Sequence, residues 1–290
     1  MSSKSSRWNA IVPWLHYPVV ISTTFLLFAL LHYWGAPLLA STYAPVLFAA
    51  AAVTCLEIWF PYRLAWRPPP SEIRTDLVFM TVVQLAWPPV VGFLFVYALI
   101  EPARALELPL QRLWPHAWPV WMQAILMILV VDFLRYWLHR AAHENDTLWR
   151  LHSVHHSVEQ LYWLNTARFH PLEKGLQMAL DSLPFLLMGV HETVLSLYYI
   201  SYASNGFFQH CNVNLRYGFL NYIVGSAETH RWHHSREPNE SNANYGNTVL
   251  VWDLLFGTWF LPKRMIGDLG LKDPNYPKTF LGLMRAPFGR

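Results

Sequence analysis

Long, unbroken apolar stretches separated by short polar connections fill the first half of the chain; shorter apolar limbs between histidine-bearing polar segments make up the second. Residues 17–34, 38–60, 77–100 and 118–138 are the long stretches, and the third contains no charged residue. A helix rises about 1.5 Å per residue, so about 20 residues cross a hydrocarbon layer roughly 30 Å thick. Each stretch therefore predicts a transmembrane helix. A fifth apolar region, residues 176–209, is interrupted near its middle by Pro184, Gly189, His191 and Glu192. Its two limbs are short for full crossings and predict a re-entrant or shallow hairpin that enters and leaves by one face. The remainder, from Arg216 onward, is mixed and polar.

The distribution of Lys and Arg orients the spans, because positively charged loops stay cytoplasmic. Lys4 and Arg7 precede the first span, Arg63, Arg67 and Arg74 follow the second, and the connection near Gly35 has none. Four crossings then return the chain to the cytoplasm at His139, and Lys263, Arg264, Lys272, Lys278 and Arg285 mark the same side for the C-terminal region. Residues 102–117, with Arg104 and Arg112, fall outside. The N-terminal segment has no cleavage-site pattern leading into a polar domain and reads as a retained cytoplasmic tail. The chain thus divides into a tail with transmembrane helices (1–138), a histidine-rich catalytic region including the hairpin (139–262), and a cytosolic tail (263–290).

Composition sharpens this picture. Of 290 residues, 54% are hydrophobic and only 13% charged, against about a quarter charged in an ordinary soluble domain. A net charge of +3 without a Lys/Arg-rich run argues against a nucleic-acid partner. Two distant cysteines, Cys55 and Cys211, supply neither a disulfide framework nor a CxxC metal site, so any metal is bound through nitrogen or oxygen.

Fourteen histidines stand against this scarcity of charge. His139 and His143 are four apart; His152, His155 and His156 repeat spacings of three and four; His230, His233 and His234 repeat them again. On a helix such spacing stacks imidazoles on one face. A single pair arises by chance, whereas three boxes within a hundred residues point to metal binding. His170 and His210 lie near the boxes and extend the set to ten. His16, His32, His116 and His191 lack that context and read as packing or interfacial residues. Neutral imidazole suits iron, zinc, copper or nickel, and eight to ten nitrogen donors exceed the needs of one ion, so two transition-metal ions are the economical count.

Each ligand imidazole needs a partner for its other ring nitrogen. Asp132, seven residues before His139 on the same helical face, is an acid in a membrane helix and so a functional candidate, or else an ion-pair partner of Arg135. Glu159 is a second candidate, and Asn165, Glu173 and Asn212 are further possible hydrogen-bonding neighbours. Asp253 reads as structural. Tyr162, Trp163 and Trp232 fit either an interfacial belt or a substrate channel.

The three boxes, together with Asn244-Tyr245-Gly246 and the run Trp252-Asp253-Leu254-Leu255-Phe256-Gly257-Thr258, resemble the fatty acid hydroxylase/sterol desaturase superfamily of membrane-bound enzymes. The likeness covers roughly residues 118–262; Leu254 stands where many members carry Arg. It implies an all-α membrane protein with about four transmembrane helices, the re-entrant hairpin and a cytosolic helical cap carrying the histidine cluster. It also implies two irons held by His139, His143, His152, His155, His156, His170, His210, His230, His233 and His234. Such an enzyme uses O2 to hydroxylate or desaturate a C–H position of a membrane lipid. No haem-binding domain is evident, so a separate electron donor of ferredoxin or cytochrome b5 type is expected. A membrane zinc or iron transporter and a non-catalytic metal-binding membrane protein are the competing readings. A transporter would place its ionisable groups near the bilayer centre, whereas most of these histidines fall outside the long apolar runs.

Overall fold

The computed structural model describes residues 3–106 and 109–289, except the side chains of residues 3–9, 104 and 105. Lys4, Arg7 and Arg104 of the charge count lie outside the described side chains. Helices α1 (Ser3–Tyr33), α2 (Leu38–Trp59), α3 (Pro70–Ala103) and α4 (Val120–Glu144) cover the four apolar stretches to within two residues at their ends. Their candidate membrane segments of 24, 22, 34 and 25 residues all exceed the length a bilayer requires. Shorter helices follow: α5 (Asp146–His156), α6 (Pro171–Leu187), α7 (Glu192–His210), α8 (Ala227–His233), α9 (Val251–Phe256) and α10 (Phe280–Arg285). Among the described residues there is no strand, only the isolated bridges Pro61–Val213 and Val224–Val249. The protein is an all-helical integral membrane protein with four helices long and apolar enough to span. Leu26, Leu47, Phe93 and Ile125, one from each, remain more than half exposed, a surface that is stable only against lipid.

The third span differs most from its sequence reading. Helix α3 begins at Pro70, seven residues before the uncharged run, because Pro69-Pro70 starts the helix and proline is favoured at a first helical position. Asp76 is thereby inside the helix and fully buried. Two stretches of α3, Met80–Ala86 and Val96–Ile100, have the wider π-helical hydrogen-bond spacing. The first immediately precedes Trp87-Pro88-Pro89, where two residues lack the N–H that an α-helical ladder needs.

Two compact units are formed by non-contiguous parts of the chain. One comprises Met1–Arg67, Gln160–Trp163 and Tyr199–Gly267. In it α1 packs on α2, and Tyr17 Oη donates to Asn205 Oδ1 at 3.0 Å. The other comprises Pro68–Glu159, Leu164–Tyr198 and Asp268–Arg290. In it α4 packs on α5 and α6, and a core of Phe79, Val83, Val154, Ala167, Phe169 and Leu283 lies beneath α5. The C-terminal residues Tyr276, Phe280 and Met284 cover that core.

The interrupted apolar region forms α6 and α7, joined by a turn in which Gly189 takes φ +68°, a conformation that suits a residue without Cβ. The far end of α6 packs Phe185 edge-on against Trp114, at 5.6 Å between ring centroids, in the connection between α3 and α4. Its near end carries Glu173, beside His152. Helix α6 therefore runs from the histidines to the opposite end of α4, a longer reach than that of a shallow hairpin.

Candidate metal centre

In the second unit, the last two turns of α4 present His139 and His143 on one face, and α5 turns back against them to present His152, His155 and His156. The reversal is made by Asn145, whose side chain caps α5 by accepting from the Thr147 and Leu148 N–H groups at 3.0 and 3.1 Å. His139 Nε2 then faces His152 Nε2 at 3.0 Å, and His143 Nε2 faces His156 Nε2 at 3.1 Å. One ring nitrogen from each of these four lies within 4.8 Å of the others. Four imidazoles bonded tetrahedrally to a metal at ~2.1 Å would have N···N separations of about 3.4 Å, so the grouping is the right size for one ion.

The outer sides of the His152 and His155 rings are held. His152 Nδ1 donates to Glu173 Oε1 at 2.7 Å, a buried contact that leaves Nε2 as the metal-facing atom. Glu173 is further engaged by Gln177 Nε2 at 3.0 Å. His155 Nδ1 lies 3.3 Å from the Arg168 carbonyl, and the ring stacks on Phe169 at 4.1 Å, with 12° between planes. Both contacts fix the orientation of the His155 ring, with Nε2 on the side away from the Arg168 carbonyl.

In the first unit, His210 ends α7, and His230, His233 and His234 lie on and just after α8. Ser226 and Thr229 form a capping box that starts α8 and so sets the register of its histidines. His230 Nε2 lies 3.0 Å from His210 Nε2 and 3.1 Å from His234 Nε2, and all three residues bring a ring nitrogen within 4.8 Å of the others. His233 Nδ1 lies 2.9 Å from the Ala243 carbonyl. Burial pushes the thiol of Cys211, next to His210, up to about 12.

The Asn244-Tyr245-Gly246 and Trp-Asp motifs form one clamp behind His233. Asn244, at φ +56°, donates to the Thr229 and Phe260 carbonyls at 3.0 and 2.7 Å. Asp253 accepts from the N–H groups of Tyr245 and Gly246 at 2.8 and 2.7 Å and from the Thr258 hydroxyl at 2.7 Å. A Cβ at position 246 would lie 2.3 Å from the Val249 carbonyl, which explains the glycine.

Other expected site residues are placed elsewhere. His170 belongs to neither group of converging nitrogens. It caps α6, its Nδ1 accepting from the Leu172 N–H at 3.2 Å while Nε2 lies 3.3 Å from the Met284 carbonyl. The Pro171 that follows, at the first position of α6, favours this cap through Nδ1. Glu159 is exposed and pairs with Lys278 at 2.9 Å instead of supporting a histidine; it follows the end of α5 and points into water. Asp132 is fully buried in α4, and Arg135, one turn on, forms an ion pair with Asp181 of α6 at 3.2 Å. His32, His116 and His191 are exposed, and His191 caps α7 through the Thr193 N–H.

Sequence reasoning passed over three polar residues that the structure builds in: Glu57, Asp76 and Arg168. Glu57, near the end of α2, accepts from the N–H groups of Trp163 and Asn212 at 2.7 and 2.9 Å, and Asn212 is two residues beyond His210. The available signal was an acid within or at the edge of an apolar run, which rarely occurs without a buried partner.

Residues 124–258 match the family model for fatty acid hydroxylase. An ornithine lipid hydroxylase of Rhizobium tropici is 34% identical over 245 residues, covering 83% of this chain and 73% of that protein. The chain belongs to the fatty acid hydroxylase family. Within the family it also resembles an alkylglycerol monooxygenase of Xenopus tropicalis, 31% identical over 222 residues, and of that protein it covers 46%. A very-long-chain aldehyde decarbonylase of Oryza sativa subsp. japonica is 31% identical over 147 residues, half of this chain and 54% of the relative. No solved structure matches the chain. All ten histidines, and both motifs of the Asp253 clamp, fall inside the fatty acid hydroxylase match.

Proposed function

We propose that this protein is a membrane-bound, iron-dependent oxidoreductase that uses O2 to oxidise a C–H position of a membrane lipid, with hydroxylation the favoured outcome. The observation that carries this reading is the convergence of imidazole nitrogens in a chain 34% identical to a lipid hydroxylase. His139, His143, His152 and His156 hold one iron, and His210, His230 and His234 contribute to a second. His155 and His233, each with Nδ1 at a backbone carbonyl, present Nε2 as further ligands. Bound iron supplies the redox chemistry that O2 activation needs and that zinc, redox-inert, lacks. In the overall reaction one oxygen atom enters the C–H bond and the other leaves as water, with two electrons and two protons taken up. The electrons come from a separate donor protein of ferredoxin or cytochrome b5 type.

The residues of this chain bind and orient. Glu173 holds the His152 proton on Nδ1, which keeps the Nε2 lone pair available to metal and makes the ring a stronger donor. The Arg168 and Ala243 carbonyls do the same for His155 and His233. The spans deliver the substrate from the bilayer, and the basic loops put the histidines on the cytoplasmic face. A transporter would leave lipids unchanged. Lipid mass spectrometry of cells expressing the protein, or a His155→Ala variant, tests the reading. Gain of one oxygen on a lipid in wild-type cells and its loss in the variant are expected, and loss of two hydrogens would reassign the enzyme as a desaturase. Unaltered lipids together with metal flux in proteoliposomes would overturn it.

A further inference from the structure

The third span holds an acid that the proposed reaction does not use. Asp76 lies in α3, about 9 Å along the helix from Pro70 at about 1.5 Å per residue, and is fully buried. Its Oδ1 accepts from Arg168 Nε at 2.7 Å, and the side chain of Arg168 is only 5% exposed. Glu72, one turn earlier on α3, sits 4.0 Å from the same guanidinium. A buried charge pair of this kind is a weak source of stability, because desolvation offsets the attraction. Its geometry, however, is restrictive: a planar guanidinium held by a carboxylate fixes the chain that carries it.

What that chain touches is the reason to assign it a role. The Arg168 carbonyl faces His155 Nδ1, and the next residue, Phe169, stacks on the His155 ring. Two residues later the same segment enters α6, whose first turn delivers Glu173 to His152 Nδ1. A stretch of six residues therefore sets the outer side of two histidines, and the Arg168 side chain ties it to α3 by a buried ion pair.

We infer that Asp76 is a positioning residue for the metal centre: through Arg168 it holds the 168–173 segment in the register that aims the Nε2 atoms of His155 and His152. This rests on the metal-binding part of the proposed function and not on the substrate. A membrane-helix acid is in this way coupled to ligand geometry without touching metal or substrate.

The test is a Co(II) absorbance titration of the metal-free, full-length protein in detergent, since the visible spectrum reports ligand number and geometry and needs no turnover. In Asp76→Asn, Co(II) is expected to bind at least tenfold more weakly at the site that His155→Ala also impairs, with a changed spectrum. The loss of an outer-shell partner typically costs 10–100-fold in affinity. Asp76→Glu, which retains the ion pair, is expected to remain within about threefold of wild type by the same scale. Wild-type affinity and spectrum in Asp76→Asn would overturn the inference. If that variant does not fold, the double substitution Asp76→Leu with Arg168→Met removes both charges and is read in the same way. A weakened site then supports positioning, and wild-type binding leaves the pair merely structural. Absence of Co(II) binding by the wild-type protein would instead fail the metal reading itself.

Discussion

Glu173 shows what a single side chain contributes. Its carboxylate is buried, lies 2.7 Å from His152 Nδ1, and leaves the Nε2 of that imidazole aimed at His139. Replacing it with alanine would remove the acceptor while leaving the apolar packing of α6 in place. Glu173→Ala is expected to weaken metal binding by about 10–100-fold, measured by metal titration of the purified protein. The same residue illustrates how far identity alone could be read. The box histidines announce themselves by spacing, but Glu173 lies 21 residues from His152, and nothing in the intervening pattern distinguishes it from Glu159. Burial separates them: the first faces an imidazole, the second an exposed lysine. His170, read as a ligand from its place near the boxes, lies outside both groups of converging ring nitrogens. Its neighbour Pro171 starts a helix, and the ring caps that helix through Nδ1 while Nε2 lies at the Met284 carbonyl.

Helices rather than residues explain the unexpected ion pairs. Arg135, three residues after Asp132 on α4, reaches across to Asp181 of α6. The contact ties the apolar limb of the hairpin to the fourth span, both side chains being about nine-tenths buried. Removing Arg135 takes away the largest favourable charge beside the buried Asp181, so Arg135→Met is expected to destabilise by up to about 3–5 kcal/mol, and the double substitution with Asp181→Leu to regain part of it. Thermal unfolding in detergent micelles of the two single variants and the double would measure this cycle. Helix α3 teaches a complementary point: its uncharged run began at Leu77, but a helix starts where its backbone can be capped, here at Pro70. That shift of one element boundary brought Asp76 into the span.

Across the whole molecule, the grouped histidines lie in two compact units whose segments are not contiguous in sequence, so binding of a metal by them is expected to be linked to folding. A metal bound by the folded protein and not by the unfolded chain adds stability, about 2.7 kcal/mol at a concentration 100 times Kd. Chelation is therefore expected to lower the melting temperature and abolish lipid oxidation together. Fe(II) would restore both; Zn(II) would restore stability alone, because it takes the same imidazoles but does not cycle redox states. Melting curves and oxygen uptake on one preparation distinguish these outcomes.

The amino-acid pattern alone determined the class of the molecule, because hydropathy and histidine spacing are local properties that helix geometry translates directly. Four runs of sufficient length can only be helices in lipid, and imidazoles at intervals of three and four share a helical face. Tertiary structure decided which polar groups face those imidazoles. Glu173, Arg168 and the Ala243 carbonyl meet their histidines from 10 to 21 residues away, and Asp76 meets Arg168 from 92. Such contacts depend on where helices start, cap and cross, and on the cost of burying charge unpaired, neither of which any short stretch of sequence contains.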